Sequence, residues 1–209
     1  MEALQSIGQF FARWLAQLET TFVEKQRYLL LVDGLKNTLI ITAGALVIGV
    51  VIGSLVAMIK YCGQDSRLLR PLCWLCNVYT TVIRGVPVVV QLLIFYFLIL
   101  KSSDGLVVGI VTFGINSGAY VAEIIRGGIM GVDKGQMEAC ITCGMSSLQG
   151  YIHVVLPQAF RLAIPSLANN FIECFKGSAL CSMVGVKDMM LQAKMLANKS
   201  YRFMEVYLC

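Results

Sequence analysis

The sequence predicts an all-α, multi-pass membrane protein of about five spans, the last one cut short. Three observations carry that expectation. First, 57% of the 209 residues are hydrophobic and only 14% are charged, whereas soluble domains carry about a quarter charged residues. One soluble core of this length does not hide so much apolar surface, and the bilayer takes the excess. Second, apolar runs of about twenty residues recur between polar segments. Third, two of those runs carry glycines at GxxxG spacing, Gly49 with Gly53 and Gly114 with Gly118. That spacing lets membrane helices approach closely.

Residues 1–34 form an N-terminal amphipathic segment. Ile7, Phe10, Phe11, Trp14, Leu15, Leu18 and Phe22 recur at helical steps, which suits a helix at the membrane interface or one packed on its own protein. Glu2, Glu19 and Glu24 leave no basic-then-apolar leader, so the first span is expected to insert as an anchor and stay. Residues 35–209 form the membrane domain. Its first span runs from Leu39 to Ile59, and a polar loop follows from Lys60 to Arg70. The second, over residues 72–100, contains Arg84-Gly85-Val86-Pro87, which predicts a break. The short loop Lys101 to Asp104 makes spans two and three antiparallel neighbours. Span three covers Gly105 to Ala122. Span four, Ala159 to Cys181, contains Pro165, Asn169, Asn170, Glu173 and Lys176. Such groups are costly against lipid and must face protein or water. Phe203 to Leu208 reads as the start of a fifth span. Basic residues at both ends of the domain leave the orientation unfixed by the inside-positive rule.

A long polar segment, Glu123 to Gln158, separates spans three and four. Asp133 to Cys143 reads as a short helix that Gly144 ends at positive φ. A second helix starts at Ser146 or Ser147, either a good N-cap, and Pro157 closes the loop. Glu138, three residues after Gly135, and Ala139, Cys140, Gly144, Val154, Leu156 and Pro157 fall at the spacing E-A-A, three residues, G, nine residues, I-x-L-P. This resembles the EAA loop of ABC-importer permeases, with Cys140 for the second alanine and Val154 for isoleucine. Gly118 to Gly128, Tyr79 to Gln91 and Asn169 to Leu180 resemble runs of the polar amino acid uptake subgroup, with Gly177-Ser178-Ala179 departing from its pattern.

The resemblance implies a type I ABC importer transmembrane fold in the inner, or plasma, membrane of a prokaryote. It implies ABC ATPase subunits docking on the EAA coupling loop at about 124–158, a second permease copy or a homologue, and an extracytoplasmic binding protein that delivers an amino acid. ATP and Mg belong to the ATPase; no Walker-type phosphate loop occurs in this chain, and no cofactor is expected in it. No catalytic constellation appears, so an enzyme is not expected. The net charge of +5 lies on scattered residues, which suits membrane lipid and gives no nucleic-acid surface. The pairs Cys73/Cys76 and Cys140/Cys143 have C-x-x-C spacing, but helix packing accounts for them better than zinc does, and no metal site is expected.

Candidate residues for a substrate path are Gln91, Asn116, Tyr120, Asn169 and Glu173. For the amides the competing account is hydrogen bonding between helices. Glu173 suggests a cationic amino acid such as arginine, lysine or ornithine; the competing account is neutralisation by Lys176 at i, i+3. Two other function classes stay open at this level: a secondary amino acid transporter or channel using Glu123 and Glu173, and a non-transporting scaffold.

Overall fold

The structure, a computed structural model, describes Trp14, Thr20, Phe22, residues 26–63 and residues 68–208. The amphipathic helix expected at the N-terminus falls mostly outside those residues. Every regular element among the described residues is helical. The elements are α1 (Tyr28–Cys62), α2 (Arg70–Gly85), α3 (Val88–Ile94), α4 (Gly105–Met130), α5 (Lys134–Thr142), α6 (Ser147–Gly150), α7 (Leu156–Gly177), α8 (Met189–Ser200) and α9 (Phe203–Leu208). They belong to two compact units: Ile41–Ser178, and Met1–Ile40 with Ala179–Cys209.

In the larger unit, α1 and α4 are long and apolar enough to cross a membrane. A third crossing is available if α2 and the run Val88–Ile99 count as one span bent by 105°. The break comes from the expected place. Pro87 has no N–H to donate and is extended at ψ 134°, so α2 ends at Gly85 and α3 begins at Val88. The fourth expected span, α7, is not among the helices that pass on length and apolarity, because Arg161, Asn169, Asn170, Glu173 and Lys176 dilute it. Span three is longer than expected: α4 continues to Met130, so Glu123 and Arg126 belong to the helix and not to a polar loop.

Hydrocarbon tails are as apolar as leucine, so packing and hydrogen bonds must hold these helices together. The GxxxG pairs do this at the α1–α4 crossing. A Cβ on Gly49 would come within 2.7 Å of Ser117 Oγ, and one on Gly53 within 2.6 Å of Val121. From the other helix, Gly114 faces Ile48 and Gly118 faces Ile52. Helix α7 is tied to α4 by a buried hydrogen bond of 2.8 Å from Asn170 Nδ2 to Ser117 Oγ.

The smaller unit is built where the first turns of α1 meet the start of α8. Asp188, fully buried, caps α8 by accepting from Leu191 N at 2.9 Å. Asn37 Nδ2 donates to Lys187 O at 2.9 Å, and Met189 N donates to Thr38 Oγ1 at 3.2 Å. Burial pushes the Asp188 carboxyl above the usual range, and the backbone N–H groups of Leu191, Met190 and Asp188 itself pull partly against it. Tyr201, at φ +56°, ends α8 in the left-handed region and turns the chain into α9. Leu196, Ala197 and Val206 form the unit's core.

Candidate functional site: a projecting helical elbow and a charged cavity

The segment between α4 and α7 forms a capped elbow. Asp133 accepts from Gly135 N at 2.7 Å and starts α5. Gly144 sits at φ +80° with no side-chain neighbour within reach, which is the turn the sequence predicts. Ser146 is the cap of α6, within a full capping box: Gln149 N donates to Ser146 Oγ, and Gln149 Oε1 accepts from Ser146 N. The two arms touch closely, since a Cβ on Gly150 would lie 2.9 Å from Met137 Sδ. Gln158 Nε2 donates to Gln136 Oε1 at 3.2 Å and ties α7 back to α5.

One expectation about this segment fails. Pro157 does not close a loop. It lies in the first turn of α7, and the chain is helical without a gap from Ser147 to Gly177. A π-helical turn over Tyr151–Val155, in which Leu156 N donates to Tyr151 O, shifts the bonding register just ahead of the proline that cannot donate. Along this elbow Gly135, Glu138, Ala139, Gly144, Leu156 and Pro157 are exposed, while Cys140 is buried at the joint and Cys143 is exposed beyond it.

The expected path residues separate into two groups. Gln91 is buried, and its amide is committed to the break. Nε2 donates to Ile83 O at 2.7 Å and to Val86 O at 2.8 Å, carbonyls that the end of α2 leaves without helical partners. Its Oε1 accepts from Asn116 Nδ2 at 3.3 Å. Tyr120, Asn169 and Glu173 are exposed, with Asn169 and Glu173 one turn apart on the same face of α7. Lys176 makes no ion pair with Glu173; the ion pairs among the described residues both involve Glu123.

Those ion pairs line a cavity of about 730 Å³ between the ends of α1 and α4 and the length of α2. Lys60 is buried and donates to Thr80 Oγ1 at 2.8 Å and to Glu123 Oε1 at 2.6 Å. Arg126 donates to Glu123 Oε2 through Nε at 3.0 Å and Nη2 at 2.8 Å. Arg84 lies with Cζ 5.2 Å from the centroid of the Tyr120 ring. Sequence reasoning missed this group, because Lys60 read as the first residue of a loop and Glu123 as the first of another. The available signal was a lone cation and a lone carboxylate at the ends of two spans whose glycines predict a close crossing.

The family of binding-protein-dependent transport system inner membrane components matches residues 49–207. The chain belongs to this family. It is the non-catalytic membrane permease of an ABC transporter, set in the inner membrane, and the family gives it no cofactor of its own. GlnP of Rickettsia prowazekii, a permease named for glutamine transport, is 36% identical over 181 residues, 85% of this chain and 81% of that protein. The arginine transport system permease protein ArtQ of Bacillus subtilis is 35% identical over 179 residues, 84% and 80% of the two chains. The crystal structure of an amino acid ABC transporter with histidines matches with a TM-score of 0.79 at 37% identity, over 90% of this permease and 87% of that chain.

Proposed function

We propose that this permease imports a polar amino acid, delivered by an extracytoplasmic binding protein and driven by ABC ATPase subunits that dock on the elbow. Glutamine and arginine, for which the relatives are named, are the first candidates. The observation that carries the coupling role is the elbow itself. Glu138 and Ala139 are exposed on a helix capped at its start, turned at Gly144 and braced by Gln136–Gln158. A rigid projection joined without a gap to α7 transmits a push into the membrane domain. Two permease subunits, two copies or one with a homologue, would enclose the path. Asn116, Tyr120, Asn169 and Glu173 are its proposed polar lining. Glu173, exposed and unpaired by Lys176, favours a cationic side chain, because a carboxylate in an apolar layer needs a cation or water.

The test is uptake of labelled arginine and glutamine into proteoliposomes holding the permease with its ATPase and binding protein. Uptake that continues without ATP would point to the secondary-transporter reading instead. Within the same assay, Gly144→Val places a β-branched residue at φ +80°, a strain of about 1–2 kcal/mol at the turn. Uptake is expected to fall at least tenfold while ATP hydrolysis persists. Full uptake by that variant removes the elbow from the mechanism.

A further inference from the structure

The cavity beside α2 carries charge that its described residues do not balance. Among the described residues, its charged lining is Lys60, Arg84 and Arg126 against the single carboxylate of Glu123, a net formal charge of +2. Glu123 is saturated. One oxygen takes Lys60 and the other takes both contacts from Arg126. Arg84 is therefore the cation left over. It is exposed to the cavity space, it stacks on Tyr120, and no carboxylate pairs with it among the described residues. The Tyr120 ring lies beneath Cζ, and a guanidinium fork can give a planar or tetrahedral oxyanion two parallel hydrogen bonds. A cleft lined by an excess of one sign of charge concentrates its field on an ion of the other sign. Thr81 adds a hydroxyl and Asn77 an amide to the same wall, while the Thr80 hydroxyl is committed to Lys60 and Asn77 O.

We infer that this cavity is an oxyanion site in which Arg84, backed by Lys60 and Arg126, holds a carboxylate or a phosphate. Two sources carry that chemistry. One is the carboxylate end of the amino acid in transit, and this arm rests on the import reading above. The other is the phosphate of an anionic lipid at the same end of the bundle as the elbow. The volume, about 730 Å³, admits either group.

The experiment uses the full chain with the subunits that purify with it, in nanodiscs of phosphatidylcholine alone or with phosphatidylglycerol. Binding of arginine and glutamine is measured beside their carboxamides, which keep the side chain and lose the anion. Retained phosphatidylglycerol is read by native mass spectrometry. If cargo is the ligand, the acids bind at least tenfold tighter than the carboxamides and Arg84→Gln removes the difference. If lipid is the ligand, phosphatidylglycerol is retained over phosphatidylcholine and Arg84→Gln removes the preference. Arg84→Lys keeps the charge but not the fork, and an intermediate loss is expected. The inference is overturned if carboxamides bind as well as acids and lipid retention ignores headgroup charge. It is equally overturned if both preferences survive in Arg84→Gln. Comparing ligands on the unaltered protein decides the matter even if a variant folds poorly. ATP-driven uptake that persists under either of those results leaves the import reading standing and removes only this site.

Discussion

Two glutamates on helices of the membrane domain show how differently one carboxylate can be placed. Glu123, on α4, has a fifth or less of its side chain exposed and is held by two cations, one from its own helix and one from α1, 63 residues away. Glu173, on α7, is exposed and pairs with no cation among the described residues. The first charge is answered inside the chain and so is part of the fold. The second is answered by nothing among the described residues, so it belongs to a surface that a second subunit, water or cargo must meet.

Mutation separates these roles. Lys60→Met should have the largest effect, because it strands Glu123 beside a single, half-exposed arginine. A loss of about 3 kcal/mol is expected, read as a large drop in the thermal midpoint of the solubilised complex. Adding Glu123→Gln to that variant should restore most of the loss. If the double variant is as unstable as the single one, charge balance is not what the pair contributes. A third carboxylate sharpens the contrast. Asp188, outside the spans, is buried with no cation, and its Oδ2 has no partner among the described residues. Asp188→Ala should cost about 1 kcal/mol through the lost cap of α8. Asp188→Asn keeps the cap. The folded-state pKa of Asp188 is raised by burial, so the wild type should lose stability as pH climbs from the ordinary carboxylate value through the raised one. The Asn variant should lack that slope; an identical pH profile in the two proteins would remove the burial argument. Glu173→Gln should change stability least, by less than about 0.5 kcal/mol, while lowering uptake of arginine relative to glutamine. Unchanged arginine uptake would mean that Glu173 does not read substrate charge.

The helical class, the break before Pro87, close helix approach at the GxxxG glycines and the turn at Gly144 were all legible, because each follows from a residue with a strict local preference. Glycine spacing, a missing N–H and positive φ act over a few residues and leave a mark in the sequence. The continuous run through Pro157 was not legible. It depends on a π turn at Tyr151–Val155, a change of hydrogen-bond register that no residue type announces. Gln91 read equally as lining or brace, since only the positions of Ile83 O and Val86 O decide where its amide goes. Lys60 and Glu123 illustrate the same limit over distance. Span boundaries drawn from polarity alone cut both helices short at their charged ends, and the pair fell into two separate loops.

The thiols of the elbow give it an optical handle. Cys140 is shielded at the joint, Cys76, Cys174 and Cys181 are buried, and Cys73 is half-buried with its Sγ donating to Ile59 O. Cys143 is the one exposed thiol among the described side chains, just beyond the joint and next to the Gly144 turn. A maleimide dye or spin label should therefore react there first, once Cys62 and Cys209 are replaced by serine. In an assembly of two such chains the labels become a molecular ruler, reporting through dipolar coupling how far apart the two elbows stand with and without nucleotide.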